Sequence, residues 1–178
     1  MSLAFFPIYL GCAALTAARA SHWHLYANWE LQIPFVPFMI VPYLSMFVLF
    51  LLPPFQLNAP ELRALTARLI VSSVVGAMVF LVLPARMGFV PRDDAQMWQR
   101  IYSAIYRIDG PFNTVPSFHV IYTSSILLAM IDVATPALRR AYVAWLVLVC
   151  ASTVLTHRHH LLDVATGMTI SLAAPAFL

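Results

Sequence analysis

The chain contains no lysine, and all ten of its cationic residues are arginines. Charge of either sign is scarce: aspartate and glutamate supply seven residues, and charged types make up only 10% of 178. A formal net charge of +3, with no basic run and no ladder of alternating aromatic and basic residues, excludes nucleic acid as a partner class. Cysteine is limited to Cys12 and Cys150, both inside apolar runs, which makes them small buried apolar side chains rather than a disulfide pair. The first ten residues carry no cation, so the cationic start of a secretory signal is missing. That segment is expected to be a retained membrane span, although Ala18-Arg19-Ala20 faintly resembles a cleavage site. Neither an internal repeat nor a low-complexity segment is present.

What the chain does have is apolar surface: 62% of its residues are hydrophobic and its mean hydropathy is +0.84. This composition excludes an ordinary soluble domain and predicts a polytopic membrane protein, folded as one domain over residues 1–178. A membrane-crossing helix needs roughly 17–25 predominantly apolar residues. Apolar runs at residues 3–18, 35–52, 65–83, 115–131, 141–155 and 161–178 predict an all-α bundle of about six transmembrane helices. None shows the ten-residue alternation of a membrane β-barrel. Pro53-Pro54, Pro84 and Pro136 mark span boundaries. Between Arg86 and Asn113 lies the longest polar stretch, within which Trp98 to Tyr102 reads as a short amphipathic helix on the membrane surface.

With six spans, the connections after the first, third and fifth share one face. That face gathers His22, His24, Glu30, Arg86, Arg92, Asp109, His119 and the run His157-Arg158-His159-His160-Leu161-Leu162-Asp163. Ionisable groups at membrane depth are expensive and default to a functional role with named partners. His159 and Asp163 are four apart, so on a helix they share a face, and the carboxylate can hold one imidazole nitrogen and leave the other free to act as nucleophile or base. His160, three before Asp163, competes for that role. His119 follows Pro116-Ser117 at a helix start, where a serine caps and backbone N–H groups favour an anion. A histidine one turn in can protonate a leaving oxygen. Three groups of this kind are what histidine-based phosphoryl transfer requires.

The segments Asp109-Gly-Pro-Phe-Asn-Thr-Val-Pro-Ser-Phe-His119 and Ser152-Thr-Val-Leu-Thr-His-Arg-His-His-Leu-Leu-Asp163-Val-Ala-Thr-Gly167 resemble the type 2 phosphatidic acid phosphatase superfamily. The form is closest to the branch with inositol phosphorylceramide synthase-like proteins, which Ile33 to Pro37 and Tyr43 also resemble. The resemblance covers most of the chain. It implies a phosphohistidine on His159, rather than on His160, with Asp163 as its partner and His119 as general acid. Ser117 and Arg92 would then bind phosphate oxygens, and Asp109 and Asn113 would support the site. Three positions depart from the pattern. Thr153 replaces the third motif's arginine, Phe118 replaces the second motif's glycine, and the first motif's lysine is missing. Arg86 and Arg158 are the expected substitutes in the phosphate cradle, with His157 a weaker one, since a guanidinium matches a phosphoryl group well.

The expected activity is therefore release of phosphate from a lipid phosphate or diphosphate within the bilayer, without a metal or cofactor. The alternatives are a lipid phosphotransferase passing a phospho-headgroup to a lipid or sugar hydroxyl, a proton-coupled transporter, or an inactive homologue. A histidine-ligated metal enzyme is disfavoured because it needs several histidine clusters and the chain has one. Discounting Arg86, Arg92 and Arg158 as anion binders leaves three arginines on the reactive face against four on the other. The site is then expected to face the periplasm from a bacterial inner membrane, the bacterial origin being a compositional reading.

Overall fold

The computed structural model describes residues 11–174. Its regular elements are all helices, and the described residues contain no strand beyond two isolated bridges, Trp23 with Ala85 and Arg86 with Phe112. We label the principal helices α1 (Pro37–Leu49), α2 (Ala59–Val82), α3 (Gln99–Ile108), α4 (Phe118–Val133), α5 (Pro136–Leu155) and α6 (Leu161–Ala173). Residues 11–17 are also helical.

Helix ends follow local chemistry. α2 begins with a reciprocal capping box, in which Asn58 Oδ1 accepts from Glu61 N at 3.0 Å and Glu61 Oε2 accepts from Asn58 N at 2.7 Å. α5 begins with Thr135 accepting from Leu138 N and Pro136 in the first turn. Both helices start several residues earlier than their apolar runs do, because caps and first-turn charges belong to a helix without being apolar.

Two helices, α2 and α5, are long and apolar enough to cross a membrane. α1, α4 and α6 are apolar but run only 10–17 residues. The expected count of six crossings is thus not matched by helix length. The run at 35–52 becomes a broken helix, with a 3-10 turn at Pro37–Met39 and a break at Ser45, whose Oγ donates to the Pro42 carbonyl at 2.6 Å. Pro37 and Pro42 supply no N–H to the helical ladder, which explains the interruption. Most of the expected first span, and residues 175–178 of the last, lie outside the described residues.

Around an apolar core, the bundle exposes apolar stripes and buries small polar side chains. Ile70, Val74, Met78 and Val82 form an exposed stripe four residues apart along α2, and Val143, Val147 and Leu148 are exposed on α5. Ser72, Thr123, Ser124, Ser125, Ser152, Thr153 and Ser171 are fully buried. α4 is the central helix, with ten of its sixteen residues buried against its neighbours. The amphipathic helix α3 packs much of its apolar face on the protein itself. Trp98, Ile101, Tyr102 and Ile105 pack on Phe35, Ile40 and Tyr43, and Tyr102 Oη donates to the Pro37 carbonyl at 3.1 Å.

Two close approaches hold α4 in place. Phe118 points away from the reactive loop and into α2, where a Cβ on Gly76 would sit 2.8 Å from its ring, and it meets Phe80 edge-on at 4.9 Å. The bulk that replaces the motif glycine is therefore absorbed inside the bundle. On the other side, a Cβ on Gly167 would lie 2.7 Å from the Ser117 carbonyl oxygen and 3.2 Å from Val120 Cβ. Backbone cannot retreat as a flexible side chain can, so Gly167→Val should destabilise the fold by about 1–3 kcal/mol through overpacking. A lowered melting temperature in detergent is the expected result, and an unchanged one would show that α6 is free to shift.

Candidate active site

The connection between α5 and α6 is built by its own backbone. Thr156 Oγ1 donates to Ser152 O at 2.7 Å, His157 adopts a left-handed φ of 56°, and the amides of Arg158 and His159 both donate to the Thr153 carbonyl at 3.0 Å. Thr153, standing where the resembled motif has arginine, is thus a buried anchor for the loop. His160 is the extended cap of α6, and Asp163 Oδ2 accepts its N–H at 2.8 Å.

This geometry points His159 Nδ1 at two acceptors, Asp163 Oδ2 and the Thr114 carbonyl, each at 3.2 Å. With acceptors on that side, Nδ1 carries the proton and Nε2 presents its lone pair. His160 is arranged differently. Its Nε2 accepts from Gly88 N at 3.1 Å, its Nδ1 lies 3.4 Å from Glu30 Oε2, and its ring is stacked between Tyr26 and Phe89, each at 4.4 Å. With its Nε2 lone pair taken by the Gly88 amide and its ring fixed by stacking, His160 is a clamp, and the open lone pair of the two histidines belongs to His159.

The second motif is tied to the same helix, because Ser117 N donates to the Asp163 carbonyl at 3.0 Å. Ser117 is fully buried and caps α4 by accepting from Val120 N at 3.3 Å. As the second residue of α4, His119 stacks on Tyr43 at 4.0 Å, with its Nδ1 3.3 Å from the Tyr43 hydroxyl. His119 Nε2 is buried and has no hydrogen-bond partner among the described residues, and the His119 and His159 rings lie 6.1 Å apart between centroids. The two imidazoles can therefore reach one phosphoryl group from different sides.

The arginines separate into three situations. Arg158, only 5% exposed, donates to both the carbonyl and the carboxylate of Asp109 at 2.7 Å and lies over the Tyr106 ring. Arg86 is exposed and lines a cavity of about 510 Å³ together with Arg158, Asp109, His24 and His157. Arg92 is turned outward, bidentate on Asp94 and over the Phe35 ring. Asn113 is buried with a left-handed φ of 58° directly before Thr114, whose carbonyl holds His159. The expected residues Ser117, His119, His159 and Asp163 are thus drawn together, with Arg158 and Asp109 beside them, while Arg92 is engaged elsewhere.

Tyr43 and Glu30 enter the site without having been assigned a role from the sequence. Tyr43 reaches His119 across 76 positions, and Glu30 reaches the Leu161 amide across 131. The available signals were the position of Tyr43 in the resembled branch and a lone acid among aromatics at Trp29-Glu30.

Burial pushes the His157 and His160 imidazoles below their ordinary value, in the second case against the pull of Asp163 and Glu30. Burial alone would raise the Glu30 carboxyl, but N–H bonds from Ala27 and Leu161, together with His160, hold it below the usual range. The linkage has one sign. Below about pH 6.5 the unfolded histidines bind protons that the folded ones refuse, so stability falls as pH drops. Glu30 adds to the loss at lower pH, where the unfolded chain takes up its proton first. The melting temperature should be level above about pH 7 and decline from about pH 6.5 downward, and a rise on acidification would contradict this burial.

The family model described as the PAP2 superfamily matches residues 15–177. No curated protein matches the chain, and no solved structure does.

Proposed function

The chain belongs to the PAP2 superfamily, and from that membership, which supports phosphatase-type activity, we propose that it is an integral membrane lipid phosphatase working through a phosphohistidine on His159. The observation that carries this reading is the pairing of an open His159 Nε2, oriented through Nδ1 by Asp163 and Thr114, with the unpartnered Nε2 of His119 nearby.

In the first step His159 Nε2 attacks phosphorus, the N–P bond forms and the P–O bond to the lipid breaks. Asp163 stabilises the positive charge that develops on the phosphorylated ring. To act as the acid, His119 must be the imidazolium when the anionic phosphoryl group is bound, with Nδ1–H facing the Tyr43 oxygen and Nε2–H on the departing alcohol or phosphate oxygen. The neutral His119 that remains then takes a proton from water, which attacks the phosphohistidine and restores His159. Ser117 and Arg158 are the nearest donors for the phosphate oxygens, Arg158 by exchanging an Asp109 contact for phosphate, and Arg86 reaches from the cavity. The exposed apolar stripes suit a lipid that enters sideways from the bilayer.

The cavity beside Arg158 supports a second reading, transfer of the phosphoryl or phospho-headgroup to a lipid or sugar hydroxyl instead of water. One experiment addresses both. Purified protein in detergent with EDTA is offered phosphatidic acid, phosphatidylglycerol phosphate, undecaprenyl diphosphate or ceramide phosphate, with and without hydroxyl acceptors. Release of inorganic phosphate from at least one, with an acid-labile and base-stable phosphoenzyme, is the expected result. Product formed only with an acceptor would favour the transferase, and no turnover under either condition would overturn both readings.

A further inference from the structure

Glu30 is an acid buried to 4% exposure in a short 3-10 turn, outside every helix that carries the proposed chemistry. A buried carboxylate is tolerated only when hydrogen-bonded, and the partners of this one converge on α6. Its Oε1 accepts from Ala27 N at 2.9 Å, and its Oε2 accepts from Leu161 N at 2.8 Å and lies 3.4 Å from His160 Nδ1. The carboxylate thus touches the first amide of α6 and the side chain of the residue before it. One peptide earlier, His160 N donates to Asp163 Oδ2, the oxygen that His159 Nδ1 also addresses. Neighbouring backbone keeps the segment in register, with Val36 N on Leu155 O and His157 Nε2 2.9 Å from Ile33 O.

We propose that Glu30 is a positioning residue for the nucleophilic His159, acting through His160 and the first peptide of α6. The inference rests on the phosphohistidine reading for its consequence but not for its geometry. Each Glu30 oxygen accepts one amide, and Oε2 also faces His160 Nδ1 at 3.4 Å, too long for a hydrogen bond but close enough for an electrostatic contact. The His160 proton has no other place, because Nε2 is occupied by the Gly88 amide. Glutamine offers one acceptor oxygen and an amide group that would confront a donor, so the isosteric variant breaks at least one contact. His160 then shifts, Asp163 Oδ2 follows, and His159 loses the alignment that in-line attack requires. Displacement of a reacting group by about 1 Å costs on the order of 10²-fold in rate.

Glu30→Gln in the full chain should lower kcat by about 10- to 100-fold per folded molecule while KM stays within about threefold. Glu30→Asp keeps the charge but retracts it by one methylene, and it should give a smaller loss of kcat at the same KM. Nitrogen-15 NMR of histidine-labelled protein in detergent supplies a readout independent of turnover. His159 should appear as the Nδ1–H form in the wild type and depart from it in Glu30→Gln. A folded Glu30→Gln with kcat within twofold of wild type would overturn the proposal, as would a Glu30→Asp loss as large as that of Glu30→Gln or a rate loss that only follows the folded fraction. If the wild type itself turns over no substrate, the function proposed above fails, and the NMR result alone decides: unchanged His159 signals in Glu30→Gln reject positioning, and altered ones support it.

Discussion

His159→Ala should reduce phosphate release by at least about 10³-fold, because loss of a covalent nucleophile removes the pathway and not merely a fraction of its rate. The chain has a second imidazole one residue away, but His160 cannot substitute. Its Nε2 is an acceptor for the Gly88 amide and its ring is fixed between Tyr26 and Phe89. The loss should appear in kcat, together with disappearance of the phosphoenzyme, while the variant remains folded and binds lipid. His159 is 6% exposed, so its truncation leaves a small void rather than a broken helix. Stopped-time phosphate release and acid-quench trapping measure the two effects. Retention of a tenth or more of the activity would remove His159 from the chemistry and bring the reading of the site back to His119 or the loop arginines.

The second large effect is expected from Asp163→Asn, at about 10²- to 10⁴-fold in kcat, the upper end being what loss of the orienting carboxylate costs in a comparable hydrolytic triad. Asp163 is fully buried, and one oxygen, Oδ2, serves both the His160 amide and His159 Nδ1. An asparagine still caps α6 through its carbonyl oxygen, so stability should change by no more than about 1 kcal/mol. If the amide nitrogen turns towards His159, it favours the opposite tautomer, with the proton on Nε2 and no lone pair for attack. If the oxygen stays, the charge that stabilises the phosphorylated ring is still lost. A variant with unchanged kcat and a strongly lowered melting temperature would make Asp163 a cap alone.

The two effects separate what is local from what is distant. The spacing of His159 and Asp163 pointed to their contact, although His159 stands in the loop before α6 and meets Asp163 through the capped helix start and not on a shared helical face. The Ser117 cap placed His119 in the first turn of α4, legible because capping depends on first-turn hydrogen bonds. Helix lengths were less legible. The apolar runs missed residues 59–64 of α2 and 136–140 of α5, since capping residues and first-turn charges do not register as hydrophobicity. The break within α1 was foreshadowed by Pro37 and Pro42, but the run looked continuous because proline counts weakly against apolar composition.

The arginines show the same boundary from the side of charge. Arg92, aligned with the first motif, is turned to Asp94 two residues on, whereas Arg158 finds Asp109 across 49 positions and stands beside the imidazole pair. A guanidinium on a flexible stem takes whichever acceptor the fold brings near, and sequence order carries little information about which that is. Phe118 is a parallel case in packing. The sequence shows only that it replaces the motif glycine, whereas the fold gives its ring a recess against Gly76 and Phe80 on α2.

By itself, then, the sequence determined the apolar, all-helical character, the family, the closeness of His159 to Asp163 and the place of His119 just after the Ser117 cap, because composition, motif spacing and first-turn capping act over a few residues. Tertiary structure alone decided that His159 rather than His160 keeps an open nitrogen, that Tyr43 orients His119, and that Glu30 holds the start of α6. Those choices depend on which donors and acceptors from segments 72 to 131 residues away are left facing one another once the helices have packed. A buried polar atom must find its partner wherever the fold supplies one.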